Sequence, residues 1–204
     1  NLYYMSYKNQ LVLTGALDDV GSPIRENSGK SYRTGIELES VYKATNKLNI
    51  SANISLSGNK NVDYKTNYNG VITDWGDTDI SFSPNVISSA GIQFSASQDL
   101  TFTLLNKFVG NQYMSNTESN ISKLSSYSTT DLNILYTIKN SAYFSEIIVT
   151  AMINNIFDKE YVSNGFYYTY DDTWSDPNLI TTIEGTGYYP QAKRNFLLGL
   201  TFKL

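Results

Sequence analysis

Eight times along this chain, apolar side chains fall on one parity and small or polar ones on the other. Residues 48–57 are the clearest case: Leu48, Ile50, Ala52, Ile54 and Leu56 alternate with Asn49, Ser51, Asn53, Ser55 and Ser57. A period of two belongs to β-strands, whose successive side chains point to opposite faces. The same pattern predicts strands at 2–13, 32–43, 86–96, 100–109, 127–138, 147–155 and 196–204, and almost no stretch carries a helical period.

The closing segment is the sharpest of these. Phe196, Leu198, Leu200, Phe202 and Leu204 share one face, against Leu197, Gly199, Thr201 and Lys203 on the other. In the opening segment Tyr3, Met5, Tyr7, Leu11 and Leu13 read as the apolar face. Segment 147–155 sets Ile147, Val149, Ala151 and Ile153 against Thr150 and Asn154, with Ile148 and Met152 breaking the rule. None of the eight apolar faces holds an Asp, Glu, Lys or Arg. Arg33, Glu37, Glu39, Lys107, Asp131 and Lys203 all fall on the opposite parity. A cation on a lipid face at the bilayer midplane costs about 2–4 kcal/mol, so a membrane would enforce this exclusion. A β-sandwich with one dry face would show it too.

Connection lengths separate the two. Links at 44–47, 97–99 and 139–145 are short, and those at 14–31, 58–79, 110–126 and 156–189 are long, in strict alternation. In an up-and-down meander alternate links lie at the same end, so one rim has tight turns and the other long loops. That is the asymmetry of transmembrane β-barrels. Pro23 and Pro177 fall in long links, and Pro84 and Pro190 at strand starts, where a missing donor is tolerated. Aromatic residues, among them 17 Tyr and 9 Phe, gather near strand ends as interfacial girdles do. No run of about 18 apolar residues exists to span as a helix, which does not count against a barrel.

The chain has no Cys and no His. Disulfides, thiolate metal sites and Ser-His or Cys-His nucleophile pairs are therefore absent, and no enzyme or cofactor is expected. A net charge of −4 argues against a nucleic-acid partner.

Two stretches go beyond pattern. Asn154-Asn-Ile-Phe-Asp-Lys-Glu-Tyr161 resembles the N-[NL]-[LI]-F-[DN]-K-x-Y segment near the end of TonB-dependent outer-membrane receptors. Tyr189-Pro-Gln-Ala-Lys-Arg-Asn-Phe-Leu-Leu-Gly-Leu-Thr-Phe-Lys-Leu204 resembles their closing P-x-x-x-R-x-[FY]-x-x-[GS] strand, with Leu204 where the family usually ends on Phe. The resemblance implies an all-β, antiparallel transmembrane barrel of roughly 22 strands, of which residues 1–204 supply about the last eight. It implies a plug domain upstream and absent here, the TonB complex acting through that plug, and a place in the bacterial outer membrane among lipid and lipopolysaccharide. The receptor would take up a scarce nutrient of the iron-siderophore, haem, cobalamin or oligosaccharide class. A self-contained eight-stranded barrel or passive porin remains as the alternative, distinguished by pairing of the first strand with the last. A soluble sugar-binding sandwich is the third reading.

Candidate ligand contacts lie in the long links. Tyr168, Tyr170 and Trp174 are interleaved with Asp171 and Asp172, and Trp75 and Arg25 stand in earlier links. Flat rings with few polar anchors are typical of ligand sites. The Asp171, Asp172 and Asp176 cluster lacks a complete calcium-ligand spacing, so no metal is expected. Phe196, Leu198, Leu200, Phe202 and Leu204 are the expected lipid contacts.

Overall fold

The computed structural model describes residues 1–18, 20–68, 71–139, 143–176 and 179–204; Pro177 and the Tyr68 side chain lie outside the described residues. Among the described residues fifteen strands run in chain order: β1 (Leu2–Lys8), β2 (Leu11–Leu17), β3 (Pro23–Asn27), β4 (Lys30–Lys43), β5 (Leu48–Tyr68), β6 (Val71–Asp79), β7 (Val86–Ser95), β8 (Leu100–Val109), β9 (Gln112–Tyr113), β10 (Lys123–Leu124), β11 (Tyr127–Lys139), β12 (Glu146–Asn154), β13 (Val162–Asp172), β14 (Thr181–Pro190) and β15 (Asn195–Lys203). Asn120–Ser122 forms a single 3-10 turn.

Eight of these strands build one wall in the order β1, β4, β5, β7, β8, β11, β12, β15, every neighbour antiparallel. They are the eight segments that alternation predicts, joined as a meander. Among the described residues β1 does not pair with β15, so the sheet is open and the barrel is not closed within this chain.

The register shows why the wall has two unlike faces. Partners directly opposite on antiparallel strands point the same way. Tyr42, Ile50, Ile92, Leu104, Leu132, Ile153 and Phe196 form an unbroken apolar row across seven strands. One residue over, Lys43, Asn49, Gln93, Thr103 and Asn133 form a polar row that ends on Met152 and Leu197. On that polar face Asn49 donates to Gln93 at 3.2 Å and Asn53 to Ser89 at 2.8 Å. The closing-strand residues Phe196 and Leu198 are 71% and 70% exposed, as an apolar surface that meets lipid must be. Lys203, on the polar face, pairs with Glu146 on the adjacent strand.

The opening strand corrects the expectation. Its register puts Leu2 opposite Ile36, Tyr4 opposite Thr34 and Ser6 opposite Tyr32, so the even residues share the apolar face and Tyr3, Met5 and Tyr7 the polar one. Both parities carry rings here, and alternation could not choose between them. Gly35 chooses: Tyr3 lies over it so closely that a Cβ would sit 2.6 Å from the hydroxyl oxygen. A ring covering a cross-strand glycine compensates for the missing side chain. Leu11 and Leu13 do not continue the parity, because Asn9 turns the backbone into the left-handed region at φ 57°.

The long links also differ from expectation, since most of their length is β-hairpin. Strands β2 and β3 pair beyond the Asn9 break, β6 folds back on the outer half of β5, and β13 pairs with β14. Pro23 opens β3, and Pro190 closes β14 where a strand start is expected. These segments alternate weakly because each of their faces meets water or another hairpin. The buried interior lies there too. Tyr64, Asn61, Asn116 and Ser122 are the largest fully buried side chains, and all stand among the hairpins.

Candidate functional site

The hairpins meet at the short segment between β8 and β11. Asn116, 1% exposed, is its centre. Its Oδ1 accepts from Ser81 N at 2.9 Å and Asn61 Nδ2 at 3.3 Å, and its Nδ2 donates to the Leu13 carbonyl at 3.0 Å. Nearby, Glu118 Oε1 accepts from Asp79 N at 2.5 Å and faces Lys60 Nζ, which also holds Asp79 at 2.8 Å. Tyr64 is wholly buried beside the Glu26 carboxyl, without the geometry of a hydrogen bond. Burial and then the Glu26 charge push the Tyr64 phenol up, and burial pushes Glu26 up.

The first and last hairpins join directly. Strands β14, β13, β2 and β3 form one four-stranded sheet through a parallel contact between Thr169 and Ala16. Gly15 makes that approach possible. It sits at φ 91°, and a Cβ there would meet the Tyr167 ring at 2.8 Å. On the same side Tyr167 donates to Glu184 at 2.5 Å. Burial first, and Glu184 second, raise its phenol above the ordinary range.

The other side of β13–β14 carries the candidate ligand surface. Phe166, Tyr168 and Tyr170 occupy alternate positions, opposite Gly187, Gly185 and Ile183. A side-chain carbon at Gly187 or Gly185 would overlap the Phe166 or Tyr168 ring, so these rings lie on backbone. The row runs on in both directions: ring centroids are 6.0 Å apart from Tyr189 to Phe166, then 6.1 Å to Tyr168, 6.4 Å to Tyr170 and 5.9 Å to Trp174. The Tyr170 and Trp174 planes differ by only 5°. Phe166 and Tyr189 are about half exposed, and Trp174 is 69% exposed.

Of the sequence-predicted site residues, Tyr168, Tyr170 and Trp174 come together in this strip. Asp171 and Asp172 border it but are engaged locally. Asp171 accepts from Thr182 at 2.8 Å, and Asp172 accepts the backbone N–H groups of Trp174 and Ser175 at 3.1 and 3.0 Å. These bonds hold the Asp172 carboxyl below the ordinary range, the Ser175 side chain contributing most. Trp75 stands apart on β6, donating to Thr66 at 3.0 Å, and Arg25 lines a cleft with Arg33, Gln10 and Leu13. The sequence places Phe166 among the rings of the 156–189 link and Tyr189 at a strand end, without showing that they are neighbours in one strip. Their signal was the pairing of ring positions with Gly185 and Gly187, which needs the register. Among the described residues no group of three or more carboxylates could hold a metal ion.

No curated sequence matches the chain. Among solved structures, it resembles the siderophore receptor PiuA from Acinetobacter baumannii (TM-score 0.69, 18% identity, 98% of this chain and 25% of that one). It also resembles the ferric-catecholate import receptor Fiu from E. coli K12 (0.64, 16%, 98% and 24%) and the ferric yersiniabactin uptake receptor FyuA from Yersinia pestis (0.63, 16%, 98% and 26%). At these identities the likeness is one of fold, and this chain spans about a quarter of those receptors' length. A family model described as TonB dependent receptor-like, beta-barrel matches residues 1–156. Such proteins are transport receptors, not enzymes. With three quarters of its length matched and every wall strand in the expected order, the chain belongs to the TonB-dependent receptor-like β-barrel family.

Proposed function

We propose that residues 1–204 are the C-terminal part of the barrel of a TonB-dependent receptor in the bacterial outer membrane, and that the whole receptor actively imports a scarce nutrient. The apolar face of the wall meets lipid, and the hairpins stand outside among lipopolysaccharide. The plug and the earlier strands complete a barrel of roughly 22 strands, and TonB acts through the plug. The ligand is a small molecule of the siderophore, haem, cobalamin or oligosaccharide class, captured first by the hairpins.

One observation carries this reading. The first and last hairpins share one sheet, Asn116 ties the first to the segment around Asn61 and Ser81, and the shared sheet presents a row of five rings, four of them exposed. A rigid, mostly apolar surface with few polar anchors is suited to capture. The test is to replace residues 162–190 of the full-length receptor by a short turn. Strands β12 and β15 pair with each other below the hairpin, so the barrel should still assemble. Ligand-dependent growth should then fall at least tenfold; unchanged growth would sink the capture role. Uptake that persists after the inner-membrane proton gradient is collapsed would replace active transport by passive conduction.

A further inference from the structure

The ring strip also constrains the chemistry of its ligand, granted the capture role just proposed. Its length comes first. Five rings at near-constant 5.9–6.4 Å spacing make an extended track instead of a single cup, with the Tyr189 ring tilted by 49° from Phe166 at one end. A compact chelate would cover one or two rings, whereas a chain of repeating units can cover them all.

Charge comes next. Residues 161–190 hold Asp171, Asp172, Asp176 and Glu184 and no Lys or Arg. Beyond the hairpin, Lys193 pairs with Glu160 and Arg194 faces Asp158, and Lys123 lies over the Tyr113 ring. An anionic chelate or a phosphorylated ligand would meet repulsion from Asp171 and Asp172 at the Tyr170–Trp174 end and find no cation within residues 161–190 to offset it. A compact cation would gain from one ring and the nearest carboxylate, and would leave the rest of the row uncovered. Asp171 and Asp172 are bonded within their own hairpin, Glu184 serves Tyr167 on the opposite side, and Asp176 has an interaction of its own. What remains is a neutral ligand with extended, weakly apolar faces and hydroxyl edges.

We infer that the Tyr189–Phe166–Tyr168–Tyr170–Trp174 strip binds a neutral oligosaccharide chain, whose C–H faces lie on rings seated over Gly185 and Gly187. These glycines are specificity-determining positions, because any side chain there would lift the rings and break the track.

The test uses the full-length receptor in detergent, titrated with neutral malto-, cello-, manno- and xylo-hexaoses and, separately, with a ferric tris-catecholate. At least one hexaose should bind, and W174A and Y168A should each weaken it roughly tenfold. G187V should abolish binding while the barrel keeps its heat-modifiable mobility on gels. Binding of none of the hexaoses, or binding indifferent to both W174A and G187V, overturns the inference. Strip-dependent binding of the catecholate with no hexaose bound would overturn the saccharide class and leave the capture role standing. Growth unaffected by loss of residues 162–190 would remove both.

Discussion

Asn116 donates through its side-chain amide to the backbone carbonyl of Leu13 at 3.0 Å, joining segments 103 residues apart. With its bonds to Ser81 and Asn61, this one buried side chain ties three hairpins together.

Asn116→Ala should therefore loosen the hairpins without unfolding the wall. It removes the partner of the part-buried Ser81 N–H and Leu13 carbonyl, at about 1–3 kcal/mol for each group left unpaired, while buried Asn61 keeps its bond to Thr78. Hydrogen exchange should accelerate at Ser81 and in β2 while the amides of β7 and β8 stay protected. Unchanged protection at Ser81 would show that Asn116 is not the tie.

Face identity makes a second expectation. Leu200→Arg places a cation on the apolar row, where it should cost about 2–4 kcal/mol if that face meets lipid. Thr201→Arg, one residue on, faces the polar side and should cost under about 1 kcal/mol, as ordinary surface changes do. Urea unfolding of the full-length receptor in lipid vesicles separates them, and equal costs would refute the assignment of faces.

A third expectation concerns acid. The Asp172 carboxyl is held below its ordinary value of about 3.9. Its contribution is thus fully present above that value and is lost as pH falls through the lowered one. Trp174, whose N–H it accepts, should stay ordered from pH 7 to about 4.5 and become mobile only below the ordinary carboxylate range. Fluorescence anisotropy in a Trp75→Phe background reads this, and Asp172→Asn should show the mobile value at pH 7. A change centred near neutrality would assign the effect to another group.

Gly15 supplies a fourth. Gly15→Val should separate the first and last hairpins, since it strains a φ of 91° and drives a side chain into the Tyr167 ring. Combining Ala16→Cys with Thr169→Cys should give a ready crosslink while Gly15 is retained, and none once Gly15→Val is added. Undiminished crosslinking would mean the hairpins are held together elsewhere.

The wall was legible because lipid and a polar interior impose opposite demands on alternate residues, and few strands satisfy them ambiguously. The opening strand was one of those few. Tyr3 and Tyr4 suit either side, and only the seating of Tyr3 on Gly35 resolves them. The hairpins were less legible. Neither side of β13 is lipid, so the runs around Phe166 and Tyr170 read as an aromatic loop instead of an ordered row. Arg25 and Trp75 share only chemistry with the strip, and composition cannot separate chemical likeness from proximity.

The contact between Thr169 and Ala16 has a mechanical meaning. It links hairpins that rise from opposite ends of an unclosed arc, and so acts as a chord. A lateral force on either hairpin would therefore pass to the other without travelling along the strands between them.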